Sequence, residues 1–210
     1  MFILHILNFL DEMNTKGLFL FLVLITTAAF AQKYETAQGD VANISGIKLY
    51  KIDFEYAEVL KIPKYSSEKA FIDQHIKELK TKGKELTENF EQQWFEKRET
   101  IFEPTFIQEF NAFRLDNRHI TVSKNYTESR YNMLVNVTLI YPGHEALIWD
   151  KAAELEVTIT FTDYESPNVV LFATKIVKIH GTTRGDVFDK ITTAYGQLGR
   201  WTAKFLCRKT

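Results

Sequence analysis

The sequence predicts an α+β fold: a two-layer sandwich of a mostly antiparallel sheet with helices packed on one face. Three observations carry this. One early segment and several late ones alternate apolar and polar residues with a period of two, as strands do. Between them, and again at the C-terminal end, apolar residues recur at helical spacing. The late strands follow one another through short loops, which pair neighbours antiparallel, and their one-sided pattern leaves a single face to be covered. The order is strand, helix, helix, strands, helix.

The chain of 210 residues opens on a segment to be set aside before the fold is read. Leu18–Ile25 is an unbroken apolar run, preceded by Lys16 and followed by Ala29-Phe30-Ala31. A positive charge, a short hydrophobic core and small residues before the cut are the parts of a secretory signal peptide, with cleavage before Gln32. The run is shorter than the roughly 20 apolar residues that span a bilayer. Asp11 and Glu12 are out of place ahead of such a core, so Met13 is the better start. The alternative is that Met1–Leu10 is a genuine extension and the whole region a membrane anchor. The first mature position is Gln32 and not cysteine, so N-terminal lipidation is not supported. Residues 1–31 are therefore read as leader, 32–43 as a polar, aperiodic, flexible N-terminal arm, and 44–210 as one domain.

The first strand is marked by Tyr50, Ile52, Phe54 and Tyr56 alternating with Lys51, Asp53 and Glu55, and Pro63 closes it. Ser66 or Ser67 then caps a helix, with Glu68 in its first turn. Phe71, His75, Ile76, Leu79, Leu86, Phe90 and Trp94 form its stripe; Gly83 either bends it or divides it in two. Phe102-Glu103-Pro104 should interrupt the helix, because a residue before proline is pushed out of helical geometry. A further helix starts with Pro104 in its first turn and presents Phe106, Phe110 and Phe113.

Ile120 and Val122 mark a short strand. Tyr131–Tyr141 is a long one, ended by Pro142-Gly143-His144. Leu155–Phe161 alternates with threonines and glutamates, Ser166-Pro167-Asn168 connects, and Val169–Ile179 is apolar enough to lie centrally. After the Gly181–Gly185 loop, Asp186 caps a final helix whose stripe is Val187, Phe188, Ile191, Ala194, Tyr195, Leu198, Trp201 and Phe205.

Composition excludes several function classes. The chain has 26 basic and 27 acidic residues. The leader removes one base and two acids, so the remainder is formally neutral. That gives no basic face for nucleic acid and no acidic character for calcium. Cys207 is the one cysteine; it permits no intrachain disulfide and is read as structural. Seventeen phenylalanines supply a core without disulfides.

Segments of the mature chain resemble small exported proteins of Gram-negative bacteria whose function is uncharacterised. The shared features are Phe54-Glu55-Tyr56 closing the early strand, Arg98–Phe106 (RETIFEPTF), the Tyr141-Pro142-Gly143 turn, and Ile191–Arg200 (ITTAYGQLGR) in the last helix. More remotely, the layout is similar to the TolB N-terminal domain and to curli-secretion and penicillin-binding-protein-activator envelope domains. The resemblance implies a domain that binds or scaffolds, and brings no catalytic residues.

His75, His119, His144 and His180 include no i,i+4 zinc pair; His75 reads as packed, and His144, in a turn, as the histidine best placed for a role. Asp53 and Glu55 share a strand face, where paired carboxylates can do acid–base work, but Lys51 beside them reads as a solvated surface. Gly181–Asp186 enters a helix as anion-binding loops do, with Arg184 nearby, but a plain Asp186 cap is preferred. Asn43, Asn125 and Asn136 fit the glycosylation pattern, which has meaning only in a eukaryotic secretory route. The expectation is an exported (periplasmic or secreted) non-enzymatic binding or scaffold domain of the cell envelope, with no catalytic, metal or cofactor residues. Its partner would be an envelope protein or a second copy. The alternative is an exported hydrolase or small-ligand-binding enzyme, which a cleft of converging polar side chains from distant segments would favour.

Overall fold

The computed structural model describes residues 34–81, 83, 89–144 and 151–209; the leader lies outside them, as does Leu86 of the helical stripe. The chain is α+β. Six strands, β1 (Tyr34–Gly39), β2 (Leu49–Lys61), β3 (Thr121–Ser123), β4 (Tyr131–Tyr141), β5 (Glu154–Asp163) and β6 (Ser166–His180), form one sheet in the order β1-β6-β5-β4-β2-β3. The helices are α1 (Glu68–Thr81), α2 (Phe90–Lys97), α3 (Glu103–Ala112) and α4 (Val187–Lys209).

Pairing follows connection length. β4, β5 and β6 are joined antiparallel, and β1 is antiparallel to β6. β2 reaches β4 only after the helices, and that long crossover makes the β2–β4 and β2–β3 pairs parallel. The sheet is thus mixed, with antiparallel pairs in the majority.

Alternation sorts the sheet into two faces. Ile52, Met133, Val135, Val137, Leu155, Val157, Ile159, Phe161, Phe172 and Ile176 are buried, as are the inward residues of the helices, Phe106, Phe110, Ile191, Tyr195 and Leu198. The outer face carries rows such as Glu55, Asn136, Thr158 and Lys175, brought side by side by strand register.

Three expectations are corrected. Tyr34–Gly39, read as part of a flexible arm, is an edge strand on β6. Main-chain pairing needs no apolar period, so the segment gave no strand signal; Tyr34 alone inserts, stacking on Phe205 at 4.8 Å between ring centres. Second, Phe102-Glu103-Pro104 does not interrupt the helix. Arg98–Phe102 widens into a π turn, with Glu103 N–H donating to Arg98 O. Proline lacks an N–H and its ring crowds the carbonyl one turn back, and the π turn absorbs that misfit. Third, the β5–β6 turn is Tyr164-Glu165. Ser166-Pro167-Asn168 already belongs to β6, where proline is tolerated near a strand's start.

Other local expectations hold. Ser67 Oγ accepts the Ala70 N–H at 3.1 Å, capping α1. That helix ends at Thr81, with Gly83 at φ 64°, so the long stripe is two helices. Among the described residues no helix is long and apolar enough to cross a membrane.

Candidate functional site

One cleft, of about 190 Å³, gathers side chains from five separate segments. α1 supplies Phe71, His75 and Leu79, three residues at i,i+4 spacing and so on one face, together with Glu78. Lys64 and Tyr65 arrive from the exit of β2, Phe90 and Gln93 from α2. Tyr141–His144 closes the end of β4, and Asp186, Val187, Phe188 and Lys190 come from the start of α4.

The wall is aromatic. Ring centres lie 5.2 Å apart for Tyr65 and Phe71, 4.6 Å for His75 and Phe90, and 5.2 Å for the stacked pair Phe90 and Phe188. Lys97 Nζ lies 4.8 Å from the centre of the Phe188 ring. Offset and edge contacts of this kind add about 0.5–1.5 kcal/mol per pair beyond burial, so this wall is stiff.

The polar groups are fewer and placed. The Tyr141 hydroxyl shares a hydrogen bond with His144 Nδ1. Burial, then the Tyr65 hydroxyl and the Glu154 carboxylate, push the Tyr141 hydroxyl above its ordinary value of 10.0; Tyr65 is pushed up by burial and by Glu78. Both phenols therefore stay protonated and able to donate. Asp186 is the helix cap expected: its Oδ1 accepts the N–H groups of Phe188 at 2.7 Å and Asp189 at 2.8 Å, and Asp189 Oδ2 accepts the Asp186 N–H at 3.0 Å. The N–H groups of Asp186, Phe188 and Asp189 at this helix entrance are thus used internally. The anion-loop reading of Gly181–Asp186 loses its support for that reason, and the Arg184 N–H donates to Thr182 Oγ1 at 3.1 Å.

Lys190 is the group that sequence reasoning missed. It lines the cleft and is 3 % exposed. Gly181 fixes its place, because a Cβ there would lie 2.1 Å from Lys190 O and the loop could not rest on the helix. The signal was present: Lys190 falls three residues after Val187 and four before Ala194, within the apolar stripe and off the solvated face.

The other candidates stay apart from the cleft. Asp53 lies 3.4 Å from Lys51 Nζ, as a solvated strand face would have it. His119 Nε2 meets Asn111 O at 3.2 Å, and His180 lies 3.8 Å from Glu154. Among the described residues no group of three or more His, Cys, Asp or Glu can hold a metal ion. Cys207 is buried in α4, its thiol pushed up by that burial.

A second polar cluster lies beneath the π turn. The Tyr195 hydroxyl donates to Tyr56 at 3.3 Å, and Tyr56 donates to Glu103 Oε1 at 3.2 Å. Glu103, 3 % exposed, also pairs with Lys124. Glu68 accepts from Trp94 Nε1 at 2.6 Å and pairs with Arg98, whose guanidinium lies 4.2 Å from the Tyr56 ring centre. Each carboxylate here has a cation, so the cluster ties α1, the π turn and β2 together.

No protein-family model matches the sequence, and no curated protein matches it. Among solved structures, the chain is similar to the PelC dodecamer from Paraburkholderia phytofirmans. The TM-score is 0.35 at 10% identity, over 80% of this chain and 96% of that one. A single-residue variant of that dodecamer gives a TM-score of 0.39 at 9% identity over the same shares. Likeness at this level leaves function to be argued from the site.

Proposed function

We propose that this chain is an exported, non-catalytic binding domain of the cell envelope, and that the cleft between α1, α2, the end of β4 and the start of α4 holds a small ligand. The observation that carries the reading is the cleft itself: an aromatic wall with a few polar groups converging from distant segments, which is how ligand sites are built. Its volume, about 190 Å³, suits a ligand smaller than a drug-sized molecule. Converging polar groups, His75, His144, Glu78 and Asp186 among them, also suit the enzymatic alternative; what favours binding over hydrolysis is that the described lining residues include no serine, threonine or cysteine, the usual hydroxyl and thiol nucleophiles of a hydrolase.

The test is titration with a neutral aromatic probe, 3-phenylpropanamide, followed by the imidazole proton resonances of His75 and His144. Saturable shifts are expected at both. Gln93→Trp places a bulky ring in the mouth of the cleft from a partly exposed helix position, and should abolish the shifts while leaving the thermal midpoint near that of the parent. Shifts that persist unchanged in this variant would remove the cleft as the site.

A further inference from the structure

We propose that the free edge of β2 takes up, as an added strand, an extended segment of another protein that alternates apolar and basic residues. This surface shares no lining residue with the cleft at the start of α4 and stands or falls without it.

β2 runs for 13 residues. On one side it pairs with β4 from Lys51 to Tyr56 and again at Lys61. On the other side β3 covers only Leu49–Lys51. A strand turns the N–H and C=O groups of successive residues to alternate sides. Lys48 C=O accepts the Thr121 N–H at 2.9 Å, so Phe54 and Tyr56, an even number of residues on, turn theirs to that same side. Among the described residues no strand, turn or loop main chain bonds to them there. Unmade main-chain bonds on a sheet edge are a template for a further strand. A bulge would spoil that template, but the register with β4 shifts only after Tyr56, so Asp53–Tyr56 is still regular.

The edge opens on a groove. A cavity of about 370 Å³ is lined by Phe54 and Tyr56 of β2 together with Phe95 of α2 and Arg98 and Glu99 of the π turn. In strand addition the main chain supplies affinity and alternate side chains supply specificity. Phe95 is 44 % exposed, and an apolar side chain of the incoming segment would cover it. Charge selects the rest. Lys51 pairs with Asp53, Arg98 with Glu68 and Lys124 with Glu103. Glu55 and Glu99 are exposed and enter no ion pair among the described residues. The surplus is acidic and suits basic residues on the partner. The sheet's opposite edge, β1, carries Glu35 and no basic residue, so a second copy adding through it would set like charges together.

The experiment uses the mature chain and two N-acetylated, C-amidated hexapeptides, one alternating valine with lysine and one alternating valine with glutamate, followed by amide hydrogen exchange. Without peptide, the Phe54 and Tyr56 N–H groups should exchange freely, while those of Asp53 and Glu55, turned to β4, are protected. The lysine peptide should slow exchange at Phe54 and Tyr56 by about tenfold or more and leave the His75 and His144 resonances in place. The glutamate peptide should bind about tenfold or more weakly. The double variant Glu55→Gln with Glu99→Gln should erase that preference and keep the fold, since both side chains are exposed. Protection of Phe54 and Tyr56 in the dilute free protein, or none with the lysine peptide, overturns strand addition. Protection that rises with protein concentration alone assigns the edge to a second copy and overturns the peptide partner. Equal binding of the two peptides, or a preference that survives the double variant, overturns the charge assignment.

Discussion

Single side chains in this molecule do their work where burial and partner disagree with habit. Asp163 shows the ordinary outcome. Its carboxyl is held below the usual 3.8 first by hydrogen bonds from Arg130, at 2.9 and 2.7 Å to Oδ2, and then by the Glu165 N–H at 3.0 Å to Oδ1. A depressed folded-state value stabilises the fold fully above the unfolded value and is lost as pH falls through the folded one. Asp163→Asn should therefore lower the urea midpoint at neutral pH, and its deficit against the parent should shrink as pH drops below about 4. A deficit that grows on acidification would contradict this. Lys190 is the contrary case, a lysine whose side chain is largely buried where it lines the cleft. Its place in the apolar stripe was visible in the helical spacing. Its place in the cleft was not, because the cleft is built with segments distant along the chain.

Elements are held by a few close approaches. In α4, Gly199 sits against α3 so tightly that a Cβ would lie 2.3 Å from Phe106 O, whereas at Gly196 the nearest atoms, side-chain carbons of Glu109 and Thr105, are 3.4 Å away. Gly199→Ala should thus lower unfolding free energy by about 1–3 kcal/mol, as overpacking does. Gly196→Ala should change it by less than about 1 kcal/mol, toward stability, since alanine is the better helix former. Urea denaturation of the two variants checks both; similar losses at both positions would refute the close-approach account. The same segment, ITTAYGQLGR, carried part of the sequence resemblance, and its second glycine is explained by helix packing. Strand and helix positions were legible wherever side chains repeat with a period. β1 was not, because an edge strand joined through its main chain leaves little side-chain pattern. The π turn was not, because a proline signals a break without saying how neighbouring turns relieve it.

For the whole molecule, the leader remains the sequence's main statement about location. If it is cut as its small residues indicate, intact mass of the native product should begin at Gln32, and retention of residues ahead of it would defeat the exported reading. Sequence alone determined the α+β class, the single late helix covering the sheet and the solvated character of the outer face, because each follows from local spacing of apolar residues along the chain. Only the tertiary structure decided that β2 lies parallel to β4, that His75 and His144, some seventy residues apart, share one cleft, and that Lys190 lines it. The physical reason is that a side chain's period is a property of neighbours along the chain. A cleft is made by residues whose only relation is the path the backbone takes between them.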